Sequence, residues 1–427
     1  MNVHESVVQR LQTIRAAKRF NPQKWHDDLE PVFAEKGFRE PSDRIDNILI
    51  IRLDVMGDMI LTSGVFREVR RNYPEAHIAA IVGEPVLPLM EFCPYCDELF
   101  TFDRRSLNNN LAESIEQMET LCETHLRQRR YDLCLLPQWG DDRRTSQLLA
   151  YLSGARERVG YSEASLEAYI DHLDIDTSFE TAFLTRSVVN PPELIHEVVR
   201  NFYLLKILGM TVKDSSTEIW MSEEDMESAS ALLLSRVPEG CIVVALGIGA
   251  GGASRKYPIK KYLTAIRAIL ERYEADIRFV IVGGKAEKED GAYLAANLPE
   301  GAAINLVGKT TLRESFAIIS LASLYLGNDT GIMHAAAAAE TPIIALYREA
   351  EDKERIAPGI LGEYARFSPW RVRAEILRPK HALGACANAM TYGGCEAEVP
   401  HCITQITPEE IVAAFDRISG LPKREKA

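Results

Sequence analysis

Residues 327–334, Gly-Asn-Asp-Thr-Gly-Ile-Met-His, follow an apolar run, Ala322 to Leu326, and open a small-residue stretch, Ala335 to Ala339. That order predicts a strand, a polar turn and a helix start. The first backbone N–H groups of a helix lack intrahelical acceptors and sit at the positive end of its dipole. A phosphate near Asp329, Thr330 and Gly331 would therefore meet ready-made donors, with His334 one turn further on. Asp and Thr are equally ordinary helix caps, so this stretch alone leaves both readings open.

A second turn of the same kind lies near the beginning of the chain. The buried-looking run NILIIRL ends in Asp54-Val-Met-Gly57-Asp58 before a helical pattern. Asp58 at that helix mouth is either an N-cap or a general base for a substrate hydroxyl, with Asp54 on the same loop as its competitor.

Gly247-Ile-Gly249-Ala-Gly-Gly252 formally satisfies the dinucleotide fingerprint G-x-G-x-x-G. The fingerprint should open a helix directly and be followed by an acidic residue at the next strand end. Here Ala253 to Pro258 intervene, and the next strand ends in Gly283-Gly284. The glycines thus read as a loop carrying Arg255 and Lys256, either of which could neutralise a diphosphate, or both of which are simply solvated. Glu287 and Glu289, at another helix start, could bind ribose hydroxyls or an adenine edge, or merely favour the helix dipole.

The elements that must position these groups alternate. Short β-branched runs at 47–53, 77–82, 98–101, 132–137 and 156–161 have helical patterns between them at 59–72, 111–129 and 143–153. A helix at 192–210, with Val198, Phe202 and Leu205 on one face and Gly209 as its stop, leads out of this series. A second series has strands at 241–246, 277–282, 302–306, 322–327 and 342–346, with helices near 259–273, 286–297, 311–320 and 331–339. Thr407-Pro408-Glu-Glu opens a last helix at 408–419. This pattern predicts two α/β units with parallel sheets, whose ligands bind at the C-terminal ends of strands. The expected divisions are a helical extension at 1–45, a first unit at 46–215, a second at 216–405, and a C-terminal helix and tail at 406–427.

With 427 residues, 46% of them hydrophobic, two sizeable cores can be buried. A formal charge of −13 excludes a general nucleic-acid binder, so an anionic ligand must be met locally. No apolar run approaches the ~20 residues of a membrane span, and the N-terminus has no signal-peptide centre. The expectation is a soluble, cytoplasmic protein. Near the N-terminus, Val7, Leu11 and Ile14 form an apolar stripe beside Arg10, Arg15, Lys18 and Arg19. Such a stripe docks on its own protein, on the inner face of an anionic membrane, or on another subunit. Among eight cysteines, Cys134 and Cys241 read as core, and Cys93-x-x-Cys96 lacks a partner pair. Cys386, Cys395, His401 and Cys402, with His381, offer ligands for a structural zinc or iron, although their spacing matches no strong template and packed thiols would explain them as well.

Four segments together resemble glycosyltransferase family 9, the ADP-heptose:lipopolysaccharide heptosyltransferases. ILIIRLDVMGDMILTSGVFREVRRNYPEAHI is similar to the family's first strand, its Met/Leu-Gly-Asp turn and following helix. HEVVRNFYLLKILG is similar to its interdomain segment, SRKYPIKKY to its Lys-Trp-Pro loop with Tyr257 replacing Trp, and GNDTGIMHAAAA to its donor-phosphate helix. The resemblance spans about residues 46–420. It implies a GT-B architecture, two Rossmann-like domains facing across a cleft, with acceptor on the first and nucleotide-sugar donor on the second. Asp58 would be the catalytic base of an inverting transfer. Lys256, Thr330, Gly331 and His334 would hold the donor diphosphate, Asp329 would lie near the donor sugar, and Glu287 or Glu289 near the nucleoside. The lysine, histidine and helix N–H groups would stabilise the leaving diphosphate without a metal or other cofactor. The acceptor implied is a lipopolysaccharide core or other surface glycan. Alternatives are another GT-B sugar-nucleotide enzyme, a transferase acting on protein hydroxyls, and an inactive scaffold of this fold.

Overall fold

The computed structural model describes residues 44–103, 111–139, 143–162, 183–189, 196–353, 355–357, 360–361, 363–383 and 400–424. The stripe at Val7, Leu11 and Ile14, and the cysteines Cys386 and Cys395, lie outside the described residues. Packing divides the chain into two units: Met1–Val55 with Gly64–Ser215, and Met56–Ser63 with Ser216–Ala427.

The first unit holds a parallel sheet of β1 (Asn47–Arg52), β2 (His77–Val82), β3 (Glu98–Thr101), β4 (Leu133–Leu136), β5 (Glu157–Tyr161) and β6 (Arg186–Val188), in the order β3-β2-β1-β4-β5-β6. β1 is continuously apolar up to Arg52 because both faces of a parallel sheet are covered; Ile48 to Ile51 are fully buried. The helices are α1 (Met56–Asn72), α2 (Leu111–Leu121), α3 (Arg143–Leu152) and α4 (Glu197–Ile207). The helix expected at 111–129 keeps α geometry only to Leu121. It then widens over Cys122–Leu126, tightens over Arg127–Arg129 and stops at Arg130 with φ 52°. Burial of Cys122 and Leu126 in the core accounts for the continued apolar period.

The second unit repeats the plan with β7 (Ile242–Gly247), β8 (Ile277–Val282), β9 (Ala303–Asn305), β10 (Leu324–Asn328), β11 (Ile343–Leu346) and β12 (Ala374–Leu377). These strands are parallel, in the order β12-β11-β10-β7-β8-β9. Its helices are α5 (Glu223–Leu234), α6 (Ile259–Arg272), α7 (Lys288–Asn297), α8 (Leu312–Leu321), α9 (Gly331–Ala338) and α10 (Pro408–Ser419). Side chains alternate between the two faces of the sheet. Val244, Leu246, Phe279 and Ile281 face one core with residues of α6 and α10, whereas Ala245, Val280 and Val282 face the other with residues of α5, α8 and α9. Through Ile411, Ala414, Phe415 and Ile418, α10 is therefore part of the second unit's core.

Each sheet, counted from its own first strand, has the order 3-2-1-4-5-6. This doubly wound arrangement places a crevice where strand order reverses, between β1 and β4 in one unit and between β7 and β10 in the other. The Met-Gly-Asp turn follows β1, the glycine loop follows β7, and the Asp-Thr-Gly turn follows β10. β6, α5 and β12 had no counterpart in the sequence pattern: β6 is three residues long, β12 is an edge strand, and α5 is acidic along its first turn. No described helix is long and apolar enough to cross a membrane.

Where β7 and β10 meet, the backbone makes room for one buried phenol. A β-carbon on Gly247 would overlap the Tyr325 hydroxyl and stand 2.9 Å from its ring Cζ, and one on Gly327 would meet the same hydroxyl. Gly247→Ala is therefore expected to cost about 1–3 kcal/mol of stability by overpacking, measured by denaturant unfolding. Adding Tyr325→Phe should return part of that loss; full stability of the single variant would contradict the packing described.

Candidate functional site

α1 starts at Met56, with Val55 as its N-cap in extended geometry and no side-chain capping bond. Asp58 is thus the third helical residue, half-buried, and not the cap that the helix expected from residue 59 allowed. Its first-turn position still benefits from the helix dipole. Asp54, the competing carboxylate, is engaged elsewhere. It lies 2.8 Å from the Arg52 Nε and accepts a 2.9 Å hydrogen bond from Gln138 Nε2, across the reversal point between β1 and β4. Ser146 Oγ in turn donates to Gln138 Oε1.

Arg52 is fully buried, and sequence patterning gave it no role. Its Nη2 donates to Glu197 at 2.9 Å, and Glu197 is itself fully buried in the first turn of α4. One turn on, Arg200 lies with its guanidinium carbon 3.8 Å above the buried Trp139 ring. The face of α4 read as Val198, Phe202 and Leu205 therefore has charged neighbours, Glu197 and Arg200, beneath the surface as well. A buried pair of this kind is strongly destabilising to break, because the remaining charge is left uncompensated.

In the second unit, α9 begins at Gly331 directly after β10, with Thr330 as an N-cap whose side chain makes no capping bond. Asp329 is buried, its N–H donating to Leu346 O at 3.1 Å, and its carboxylate stands 3.9 Å from His334 Nε2. His334 is buried on the second turn. Met56–Ser63 packs with this unit, and its turn lies against α9. A β-carbon on Gly57 would stand 3.0 Å from His334 Cδ2 and 3.6 Å from Gly331 Cα, and one on Gly331 would stand 2.5 Å from Met56 Cε and 3.1 Å from Gly57 N. Two glycines thus let the start of α1 and the start of α9 approach backbone to backbone. Gly331, read from the sequence as part of a phosphate-meeting turn, lies in this structure against the Met56-Gly57 turn.

After β7 the chain runs through the loop and a short 3-10 turn, Ala253–Arg255, before α6 starts at Ile259. No helix opens at the glycines, in keeping with a loop and against a dinucleotide fingerprint. A β-carbon on Gly249 would lie 3.2 Å from the Glu287 Cδ. Glu287 Oε2 accepts from Gly284 N–H at 2.9 Å, so this carboxylate lies between the loops that follow β7 and β8. Glu289, on α7, is exposed and is not brought to that place. Lys256 is half-buried, and its Nζ lies 2.5 Å from Asp290 Oδ2. Arg348 Nη1 donates to Ser254 Oγ at 2.7 Å, bracing the same loop.

Asn328 ties these parts together. Fully buried at the end of β10, its Oδ1 accepts from Tyr257 N–H at 3.2 Å and Tyr262 Oη at 3.0 Å. Its Nδ2 donates to Ile248 O at 3.2 Å and Gly249 O at 2.9 Å. Tyr257 packs edge-on against Tyr262 and donates its hydroxyl to Ile406 O at 2.9 Å, so Tyr meets a polar partner at the position where the family resemblance calls for Trp. Burial raises the Tyr257, Tyr262 and Tyr325 hydroxyls above the usual tyrosine range and keeps all three neutral, and of these Tyr257 and Tyr262 donate as described. The sequence signal for Asn328 was its place inside the Gly-Asn-Asp-Thr-Gly turn, where an asparagine is ordinary turn chemistry.

Of the tail ligands, His401 Nδ1 and Cys402 Sγ are 3.5 Å apart, while His381 pairs with Asp352 at 3.3 Å. Among the described residues no group of three or more His, Cys, Asp or Glu side chains could hold a metal. Cys93 is buried beside Cys96, whose thiol is pushed up by a hydrogen bond with Cys93 and by burial.

The sequence matches glycosyltransferase family 9 (heptosyltransferase) over residues 122–384, more than half of the chain. The chain belongs to this family. It is 26% identical over 296 residues to lipopolysaccharide heptosyltransferase 3 of Escherichia coli K12, covering 68% of this chain and 79% of that one. Its fold is similar to that of a family 9 glycosyltransferase from Veillonella parvula, with a TM-score of 0.67 at 20% identity, covering 88% of this chain and 98% of that one. It is also similar to the E. coli heptosyltransferase WaaC solved with ADP-2-deoxy-2-fluoro heptose, with a TM-score of 0.60 at 16% identity, covering 87% and 99%. The fold is GT-B, and the protein is a glycosyltransferase of the heptosyltransferase family.

Replacing Asn328 by Ala would orphan two buried donors and two carbonyls at once. A loss of about 1–3 kcal/mol for each group left unsatisfied is expected, water recovering part of it, so Asn328→Ala should unfold at clearly lower denaturant than the wild type. An unchanged midpoint would show that the amide does not hold these loops.

Proposed function

We propose that this family member transfers a heptose, with inversion, from ADP-heptose to a hydroxyl of a lipopolysaccharide core or other surface glycan, working at the cytoplasmic side of the inner membrane. The observation that carries this reading is the backbone approach of Gly57 and Gly331, because Gly57 immediately precedes Asp58 and lies against the helix start that bears Thr330 and His334. Inverting transfer needs a base for the acceptor hydroxyl and an anion clamp for the departing diphosphate within one site. The donor identity is supported by the likeness to the protein solved with an ADP-heptose analogue, and by the heptosyltransferase activities of the relatives.

In this reading Asp58 takes the proton as the acceptor oxygen attacks the anomeric carbon from the face opposite the diphosphate. Asp54, paired with Arg52 and Gln138, shapes the loop. The growing charge on the diphosphate is met by the N–H groups at Gly331, the Thr330 hydroxyl, Lys256 and His334. Asp329, 3.9 Å from His334, orients that imidazole and borders the donor sugar. Glu287, held between two glycine turns, serves the nucleoside in preference to the exposed Glu289. No cofactor enters the mechanism.

Asp58→Asn keeps the shape but cannot accept the proton, so turnover should fall about 10²–10⁴-fold while ADP affinity persists. A variant retaining more than a tenth of wild-type turnover would remove Asp58 from the role of base. Transfer should also survive exhaustive EDTA treatment, because in this reading cationic side chains and helix N–H groups supply the positive charge that the leaving diphosphate requires. Restoration of lost activity by Mg²⁺ or Mn²⁺ alone, with the fold intact throughout, would contradict this mechanism.

A further inference from the structure

Lys256 has a carboxylate partner that the sequence pattern did not announce. Its ammonium is 2.5 Å from Asp290, in the first turn of α7, and the two side chains are 34% and 25% exposed. The backbone around Lys256 is pinned. Its own N–H donates to Ala253 O at 3.1 Å, the next N–H donates to buried Asn328, and the Tyr257 ring is locked against Tyr262. The lysine can therefore change its anion only by swinging its four-carbon stem. The other end of the same Asn328 tether is the strand that leads straight into Thr330 and Gly331.

A partly exposed Lys–Asp pair is weak, since water and salt screen it and holding it immobilises the side chains. A diphosphate brings at least two negative charges and several strong acceptors to the same ammonium. We propose that Asp290 is the resident counter-ion of the donor site: it holds Lys256 until a nucleoside diphosphate takes the lysine over, and recaptures it when the diphosphate leaves. Asp290 thereby acts as a positioning residue that weakens binding of the nucleotide and eases its release. This rests on the assignment of Lys256 to the donor diphosphate in the preceding section.

The test is isothermal titration of ADP into the full chain and its Asp290→Asn, Lys256→Ala and double variants, with Asp290→Ser as a second replacement that also suits a helix start. Each Asp290 variant should bind ADP tighter, up to about fivefold, which corresponds to ~1 kcal/mol for an exposed pair. Lys256→Ala should bind ADP more weakly, and Asp290→Asn should add nothing once Lys256 is gone. Unchanged or weaker binding by the Asp290 variants, with Lys256→Ala impaired, overturns the counter-ion and leaves the donor site standing. An equal gain in the Lys256→Ala background also overturns it, since Asp290 would then act as a general repulsive charge. Unaltered ADP affinity in Lys256→Ala removes the lysine from the donor site, and the counter-ion with it.

Discussion

The second unit is organised around one buried amide. Asn328 sits fully buried at the reversal point of its sheet, where the loops leaving β7 and β10 must diverge. A buried carboxamide is tolerated only if its oxygen and its nitrogen find partners, and here they find four: two carbonyls of the glycine loop, one backbone N–H and one phenol. The same four bonds fix where the loop turns, where Tyr257 enters the core and so where Lys256 is attached. They also hold the last residue of β10, which leaves Asp329, Thr330 and Gly331 little freedom in how α9 begins.

The first unit solves the same topological problem with charge instead of an amide. Arg52 is buried at the end of β1, and Glu197 and Asp54 compensate it from two sides. Desolvating these ions is expensive, and their attraction does not guarantee net stability. What the network supplies is geometry. Asp54 is drawn toward Gln138 on the neighbouring strand end, the loop is directed into Val55, and α1 follows without a capping side chain. In both units a polar group at the strand-order reversal is held by partners on neighbouring elements, and the turns read as chemistry-bearing issue from those points.

Close backbone approach is the other recurring device. Gly247 and Gly327 accommodate a phenol, Gly249 a carboxylate, and Gly57 and Gly331 one another's turns. Gly251 and Gly252 have open space where a side chain would be, so their presence has no steric explanation in the structure. A net charge of −13 does not conflict with the proposed anion site, because the donors that site would use are a helix start, a histidine and a lysine held by such local contacts, and the surface average does not reach them.

The amino-acid sequence by itself determined the two α/β series, ten of the twelve strands described here and the turns that follow β1, β7 and β10, because apolar period and turn chemistry are local properties of the chain. It also carried the family, through four short segments in the right order. It did not determine strand order, because parallel neighbours are chosen by packing between segments far apart in the chain. Short or weakly periodic elements such as β6, α5 and β12 were likewise decided by tertiary contacts. So were the pairings that distinguish similar residues: Asp54 with Arg52 and Gln138, Glu287 against Gly249 while Glu289 stays exposed, and Lys256 with Asp290. A residue type announces which chemistry it can do, but whether a carboxylate is a partner, a wall or a base depends on what lies within about 3 Å of it, and that distance belongs to the fold.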